Sequence, residues 1–421
     1  MFGLTGVAFA ALFQALGIGL FISGSYGAPA YVYPMHVHLS YGETDMQMVV
    51  TWTTYNSTDS VVEFGSTYLS NVVKGQVTKF FDANDTNRIW YIHRVTLQDL
   101  KPGMKYYYHC GSDQGWSDLF FFTNRRTDIN WAPWIAAFGD MGSVNGRSIP
   151  RLQEEVAKGT IDVILHVGDF AYDLDSNGGA MGDAFMQQIE SIAGYVPYMA
   201  TVGNHENAMN FSHYKQRFSM PGDNQGIFYS YNLGRIHFVS ISTEVFYYTQ
   251  YGTAQNETQY NWLKKDLEKA NEPKNRERYP WIVVLGHRPM YCAIADTDDC
   301  DLVRDKVRVA LEQLFYEQGV DLEIWAHEHE YERMYPMYNY TICKGSEAYP
   351  YKNPAAPVHI VTGSAGCQEL HDTFLPQPKW VAKNVLDYGY TKLKAINATH
   401  LYLQQISDDK VIYLLLVNLL S

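Results

Sequence analysis

Between His36 and Thr123 apolar and polar residues alternate in short stretches, such as Met46 to Thr53 and Tyr91 to Leu97, separated by turn-rich breaks. A period of two, with no 3.6-residue period, predicts half-buried strands. Strands at this density predict an all-β sandwich over residues 31–124. Leu100, Pro102 and Tyr106, followed by Tyr107 and Tyr108, carry the pattern of a tyrosine corner, in which a phenol ties a loop to a sandwich strand. Residues 124–130 are polar and charged, and the domain boundary is expected there.

Beyond that boundary apolar runs alternate with helical patterns, the texture of an α/β domain over residues 131–410. Helices are predicted from Gln259 to Ala270 and from Arg304 to Gln318. In the second, Val307, Leu311, Leu314 and Phe315 recur at helical spacing and Gly319 supplies a stop. Five apolar runs end alike. Trp134 to Phe138 leads into Gly139-Asp140, Val163 to Val167 into Gly168-Asp169, and Tyr198 to Val202 into Gly203-Asn204-His205. Trp281 to Leu285 leads into Gly286-His287, and Leu322 to Trp325 into Ala326-His327-Glu328-His329. Ligands of open α/β sheets bind beyond the carboxyl ends of strands, so these tips are expected to converge on one crevice. Glycine before four of them is expected to permit the turn that lifts a side chain off the strand end. The apolar tail, residues 411–421, is expected to add a last strand. As a helix it would extend about 15 Å, too short to span a bilayer, and a lipid-anchor signal or an alternative chain end stays open.

The chain has 421 residues, 18% of them charged and 15% aromatic, with 33 tyrosines, a composition that predicts a globular fold. Its formal net charge of -13 argues against a nucleic-acid partner, which demands a basic face. An anionic substrate must then find positive charge locally, and bound metal ions are its natural source. Met1 to Ile22 are nearly all apolar or small, and Ser25, Gly27 and Ala28 are small. Residues 1–27 are therefore expected to be a signal peptide, with an uncleaved anchor as the alternative and no stable membrane span after removal. Six Asn-x-Ser/Thr sequons, at Asn56, Asn84, Asn210, Asn256, Asn339 and Asn397, agree with export to a secreted, extracellular or lysosomal location and are candidate glycosylation sites. Of the five cysteines, Cys110, Cys292, Cys300, Cys343 and Cys367, the pair Cys292 and Cys300 flank a short loop and are expected to form a disulfide, with buried free thiols as the alternative.

The strand tips and their flanks offer carboxylate, phenolate, amide and imidazole donors. Anionic oxygen suits a hard trivalent ion, whereas imidazole and amide oxygen suit a borderline divalent one, so the inventory fits a mixed pair. Asp169 can bridge two ions about 3.5 Å apart, the spacing of two-metal hydrolytic sites. In chain order, Gly-Asp, Gly-Asp-x-x-Tyr, Gly-Asn-His-Glu, Gly-His, and His-x-His followed by Tyr331-Glu332-Arg333 resemble the purple acid phosphatases, within the calcineurin-like metallophosphoesterases. The resemblance runs from Met35 to Asp409. It implies an N-terminal fibronectin type III-like sandwich and a catalytic α/β domain built as a β-sandwich flanked by helices, with βαβαβ metal-binding units. It also implies Fe(III) held by Asp140, Tyr172, His329 and the bridging Asp169, and divalent iron, zinc or manganese held by Asp169, Asn204, His287 and His327. Ordinary superfamily members carry Asp-x-His in the first block and Asp-x-x-Asp in the second. Here Gly142 and Tyr172 stand in those places, and exchanging imidazole for phenolate favours trivalent iron.

The activity so implied is a secreted acid phosphatase acting on a small-molecule or protein phosphate monoester. Hydroxide held by the metals attacks phosphorus in line, and His205 helps the alkoxide leave. The higher charge of Fe(III) predicts an acid optimum. Other family members have a further His after the Gly-His block. This chain has none between Tyr291 and Cys300, so the leaving-group acid is His205 alone, a water, or an acid such as Asp296. The alternatives are a phosphodiesterase or nucleotidase with two divalent ions, and an extracellular binding glycoprotein with a vestigial site. His327-Glu328-His329 is not the helical metalloprotease motif, because Tyr331 stands where its second His would be. Tyr331, Glu332 and Arg333 are expected either to support the histidines or to form a solvated loop. Arg288 is expected either to orient phosphate or to make an exposed salt bridge. His166, His237 and His359 are expected to be hydrogen-bonded core groups. The natural substrate and the oligomeric state are not legible.

Overall fold

The computed structural model describes residues 30–82, 85–294, 304–371, 373–374, 376–410 and 413–420. Its first part folds as two sheets packed face to face. Met35–Tyr41, Met48–Thr54, Asp85–Leu97 and Gln76–Asp82 pair antiparallel in that order. Asn71–Lys74, Val61–Gly65, Lys105–Ser112 and Gly115–Trp116 make the second sheet, with Phe120–Thr123 also on Lys105–Ser112. Period-two alternation turns Val37, Leu39, Val50, Trp52, Val62 and Tyr108 into a shared core. The tyrosine corner is present: the backbone N–H of Lys101 donates to the Tyr106 hydroxyl at 2.9 Å.

The larger part is a second sandwich. One sheet runs Tyr198–Thr201, Val163–Val167, Ile135–Phe138, Gly389–Asn397, His400–Ser407 and Tyr413–Leu420. The other runs Tyr229–Leu233, Ile236–Ser240, Trp281–Leu285, Leu322–Trp325, Val358–Thr362, Tyr331–Met334 and Val381–Val385. The central strands are buried at every position because both faces are covered; Ile135–Phe138 and Trp281–Leu285 are wholly apolar, whereas Val163–Val167 and Leu322–Trp325 bury His166 and Glu323. Ile135, Ala137, Val283 and Leu285 meet in the core between the sheets. Ala136 and Phe138 face the helices Ile149–Ala157 and Ala180–Ala193, whereas Ile282 and Val284 face Ala254–Ala270 and Arg304–Glu317. The expected fold class is therefore observed, with helices on the two outer faces. The helix expected from Gln259 begins earlier, at Ala254. Its first turn is polar and mostly exposed, so it shows no apolar period. The C-terminal strand Tyr413–Leu420 pairs antiparallel with His400–Ser407. Among the described residues no helix is long and apolar enough to cross a membrane.

The two parts are tied by buried polar contacts. The boundary segment is not simply solvated: Arg125 is buried and donates to the carbonyl oxygens of Asn232 at 3.1 Å and Gly42 at 3.4 Å. Asp183, on the helix Ala180–Ala193, accepts from Tyr55, Arg88, Trp90 and Arg217 at 2.8 to 3.0 Å.

Candidate metal centre

Five strand tips converge, but from two facing sheets rather than one open sheet. Ile135–Phe138, Val163–Val167 and Tyr198–Thr201 run parallel in the first sheet, and Trp281–Leu285 and Leu322–Trp325 run parallel in the second. All seven donor residues come together in two linked groups. In one, the Tyr172 hydroxyl lies 3.2 Å from Asp140 Oδ1 and 2.9 Å from His329 Nε2. In the other, His287 Nε2 lies 3.1 Å from Asp169 Oδ2 and 2.9 Å from Asn204 Oδ1. The His327 ring stands 5.0 Å from that of His287, and ligand-capable atoms of Asp169, His287 and His327 lie within 4.8 Å of one another. Asp140 joins the groups by accepting the backbone N–H of His327 at 2.8 Å.

The backbone does more here than the glycines alone explain. Asp140, Asp169, Tyr172 and His327 themselves adopt left-handed φ values of 56°, 54°, 50° and 73°. Such values are uncommon for side-chain-bearing residues and cluster at functional sites. Of the four preceding glycines only Gly168 has positive φ, so the expectation that glycine supplies each turn is corrected. Close approach is the commoner reason: a Cβ on Gly203 would fall 2.2 Å from Asp169 Oδ1.

The two buried carboxyls are driven in opposite directions. Burial pushes Asp140 well above the usual carboxylate range. Burial also opposes ionisation of Asp169, but His287, His205 and His327 outweigh it and hold this carboxyl far below that range. His287 is lowered by burial yet raised more by Asp169, to about 10. Its Nδ1 donates to the carbonyl of Val167 at 2.8 Å, so Nε2 points at Asp169 and Asn204. Nε2 therefore lies between two side-chain oxygens. His205 is likewise lowered by burial and raised further by Asp169 and Asp173, to about 9. Its Nδ1 lies 2.7 Å from Asp173 Oδ1 and its ring 4.4 Å from that of Tyr172.

Two supporting residues, Glu206 and Glu244, were not singled out in the sequence. Glu206 accepts the backbone N–H groups of Asp169 and Gly203 at 2.9 Å and of Phe170 at 3.0 Å, clamping two ligand turns together. The Glu of Gly-Asn-His-Glu was its only signal. Arg288 is buried: its Nε pairs with the equally buried Glu244 at 3.1 Å, and its Nη1 donates to His327 Nε2 at 2.7 Å. Residues 331–334 are no solvated loop but a buried strand, Tyr331–Met334, in which Glu332 accepts from the Ala293 N–H at 2.9 Å. Gly142 lies against the Tyr172 ring: a Cβ there would sit 3.5 Å from Cδ2.

Among the other histidines, His237 is paired with Asn232 and Asp266, as expected. His166 bonds the Tyr198 hydroxyl and His359 lies 3.2 Å from Glu323, yet Nε2 of each has no partner among the described residues. These two rings are only half satisfied. Asp296, Asn84 and Cys300 lie outside the described residues, and with them the Cys292–Cys300 pairing; Cys110, Cys343 and Cys367 are free thiols.

Two facing sheets with helices outside, and carboxylate, imidazole, amide and phenol groups gathered at one edge, define a metallophosphoesterase. Residues 133–331 match the calcineurin-like phosphoesterases, 34–124 the purple acid phosphatase N-terminal domain, and 356–413 the iron/zinc purple acid phosphatase-like protein C region. Acid phosphatase type 7 of Danio rerio is 52% identical over 397 residues, covering 91% of this chain and 90% of the relative. Its counterpart from Homo sapiens is 49% identical over 400 residues, covering 92% and 91%. The chain belongs to the purple acid phosphatases, a membership that implies a dinuclear metal centre. A purple acid phosphatase from yellow lupin (Lupinus luteus) seeds shares the fold, with a TM-score of 0.78 at 24% identity over 92% of this chain and 74% of that one.

Proposed function

We propose that Asp140, Tyr172, His329 and the bridging Asp169 hold Fe(III), and that Asp169, Asn204, His287 and His327 hold divalent iron, zinc or manganese. The chain is an acid phosphatase of the metallophosphoesterase type, acting on phosphate monoesters. The observation that carries the metal reading is the Tyr172 phenol set between Asp140 and His329, hard oxygen donors and one imidazole around a single point. When bound, such a pair activates water and neutralises charge on the phosphoryl oxygens.

The chain's own residues prepare the rest. His329 Nδ1 donates to the carbonyl of Leu370 at 2.9 Å, which fixes the ring and turns Nε2 toward Tyr172 and Asp140. With His205 Nδ1 committed to Asp173, its Nε2 is the group left to donate a proton to the departing alkoxide. Arg288 orients His327 in turn.

Metal analysis with a visible spectrum of wild type and Tyr172→Phe tests this reading. The expected result is a phenolate-to-iron charge-transfer band in the iron-loaded wild type, lost in the variant while the fold persists. Metal-loaded wild type is expected to cleave a generic aryl phosphate best below neutral pH. A colourless, iron-replete wild type overturns the Fe(III)–tyrosinate assignment.

Export through the secretory pathway, to a secreted, extracellular or lysosomal location, belongs to the same proposal, together with a signal peptide over residues 1–27 and a Cys292–Cys300 disulfide. Exposure of the sequon asparagines Asn56 and Asn339, and partial exposure of Asn210, Asn256 and Asn397, supports glycosylation at those positions.

A further inference from the structure

We propose that Cys367 and Glu369 give His329 a second, softer set of partners: a site for a thiophilic divalent cation such as zinc or cadmium, which excludes iron because both ions need the same imidazole. Ligand-capable atoms of His329, Cys367 and Glu369 lie within 4.8 Å of one another. Nitrogen, sulfur and carboxylate donors around one point, completed by water, make an open tetrahedral set of the kind zinc accepts. The harder donors surround the same ring nitrogen: the Tyr172 hydroxyl at 2.9 Å and Asp140 Oδ1 at 3.7 Å. Because Nδ1 is engaged with Leu370, His329 offers a single ligating nitrogen, and only one ion at a time can use it.

Cys367 is held in place by its surroundings. Its φ of 69° is left-handed, uncommon for a residue with a side chain. Its N–H donates to the Met141 carbonyl at 2.8 Å, and its own carbonyl accepts from Asn145 Nδ2 at 2.8 Å. The sulfur accepts the Glu369 N–H at 3.2 Å, which brings the two donor residues together. Gly142 packs beside Cys367: a Cβ there would sit in ordinary contact, 3.4 Å from Cys367 Cα and 3.5 Å from the Tyr172 ring.

Hardness then decides which set is used. Thiolate selects soft or borderline ions, whereas carboxylate and phenolate select trivalent iron. On capture the Cys367 S–H bond breaks, a sulfur–metal bond forms and the proton passes to solvent; nothing is oxidised or reduced. Capture needs no iron. Only the exclusion clause rests on the iron assignment above.

The test is a cadmium titration of metal-free full-length protein, followed by the ultraviolet thiolate-to-cadmium absorption. Cys343 is a partly exposed free thiol, so Cys343→Ser is titrated alongside. A stoichiometric band is expected in wild type, in Cys343→Ser and in Tyr172→Phe, and its loss is expected in Cys367→Ala. Glu369 is exposed, so Glu369→Gln leaves the fold intact and is expected to weaken cadmium binding at least about tenfold, the lower end for losing a metal-site partner. No band in wild type, an undiminished band in Cys367→Ala, or unchanged affinity in Glu369→Gln overturns the site. A full cadmium band with iron still bound overturns the exclusion. Absence of the visible iron band in wild type sinks the iron reading and leaves the cadmium result standing.

Discussion

Asp140 and Asp169 are both buried carboxyls, yet they are driven in opposite directions. Asp140 meets mainly desolvation, while Asp169 meets three imidazoles that outweigh the same cost. Glu206 serves the arrangement at one remove. Burial and the neighbouring Asp169 charge raise its carboxyl to about 8 against the Phe170 N–H, His287 and His205, while three backbone donors fix its position. In Glu206→Gln the amide NH2 must face at least one of those N–H groups. Metal affinity is expected to fall roughly 10- to 100-fold, the usual effect of losing a ligand-orienting partner, as measured by competition with a chromophoric chelator.

At the scale of elements, the strand–turn unit repeats with a different solution each time. After Val163–Val167, Gly168 and Asp169 are both left-handed; after Tyr198–Thr201, Gly203 is extended and matters only for its missing side chain. Its φ of -113° suits any residue, so Gly203→Ala carries no backbone penalty. The added methyl would still fall 2.2 Å from Asp169 Oδ1. The expected outcome is a folded protein with depleted metal and activity, read by circular dichroism beside elemental analysis. Normal metal content in a folded variant would show that the turn yields more readily than its packing implies.

Over the whole molecule, the N-terminal sandwich is docked through polar groups kept from water. Burial, with Arg217 also acting downward and Asp183 only partly opposing, lowers His36 to about 3. Burial with Arg94, against the His36 carbonyl, lowers His38 to about 4. Both are neutral in the folded protein and bind protons more readily once unfolded, where the usual value is about 6.5. Their contribution to stability is complete above the unfolded value and drains as pH falls through the folded ones. The thermal midpoint is therefore expected to drop between about pH 6.5 and pH 4, and His38→Gln is expected to flatten that drop. A midpoint that is flat over this range in wild type would contradict the burial argument.

Much of this was legible in one dimension because it depends on local pattern. Alternation marks strands, apolar runs mark strands buried on both faces, and Lys101 to Tyr106 spells a corner that closes within six residues. The order of ligand blocks also survives in a linear reading, since each donor sits on or beside a strand tip. The chain alone did not say that the tips come from two facing sheets, that Arg288 and Glu244 reach His327, or that Glu206 joins two turns. Nor did it bring Cys367 and His329, 38 positions apart, to the same wall. Those facts belong to tertiary structure for one physical reason. Burial and hydrogen-bond partnership are set by groups distant in sequence, and a lone Arg, Glu or Cys carries no periodicity to announce which of them it will meet.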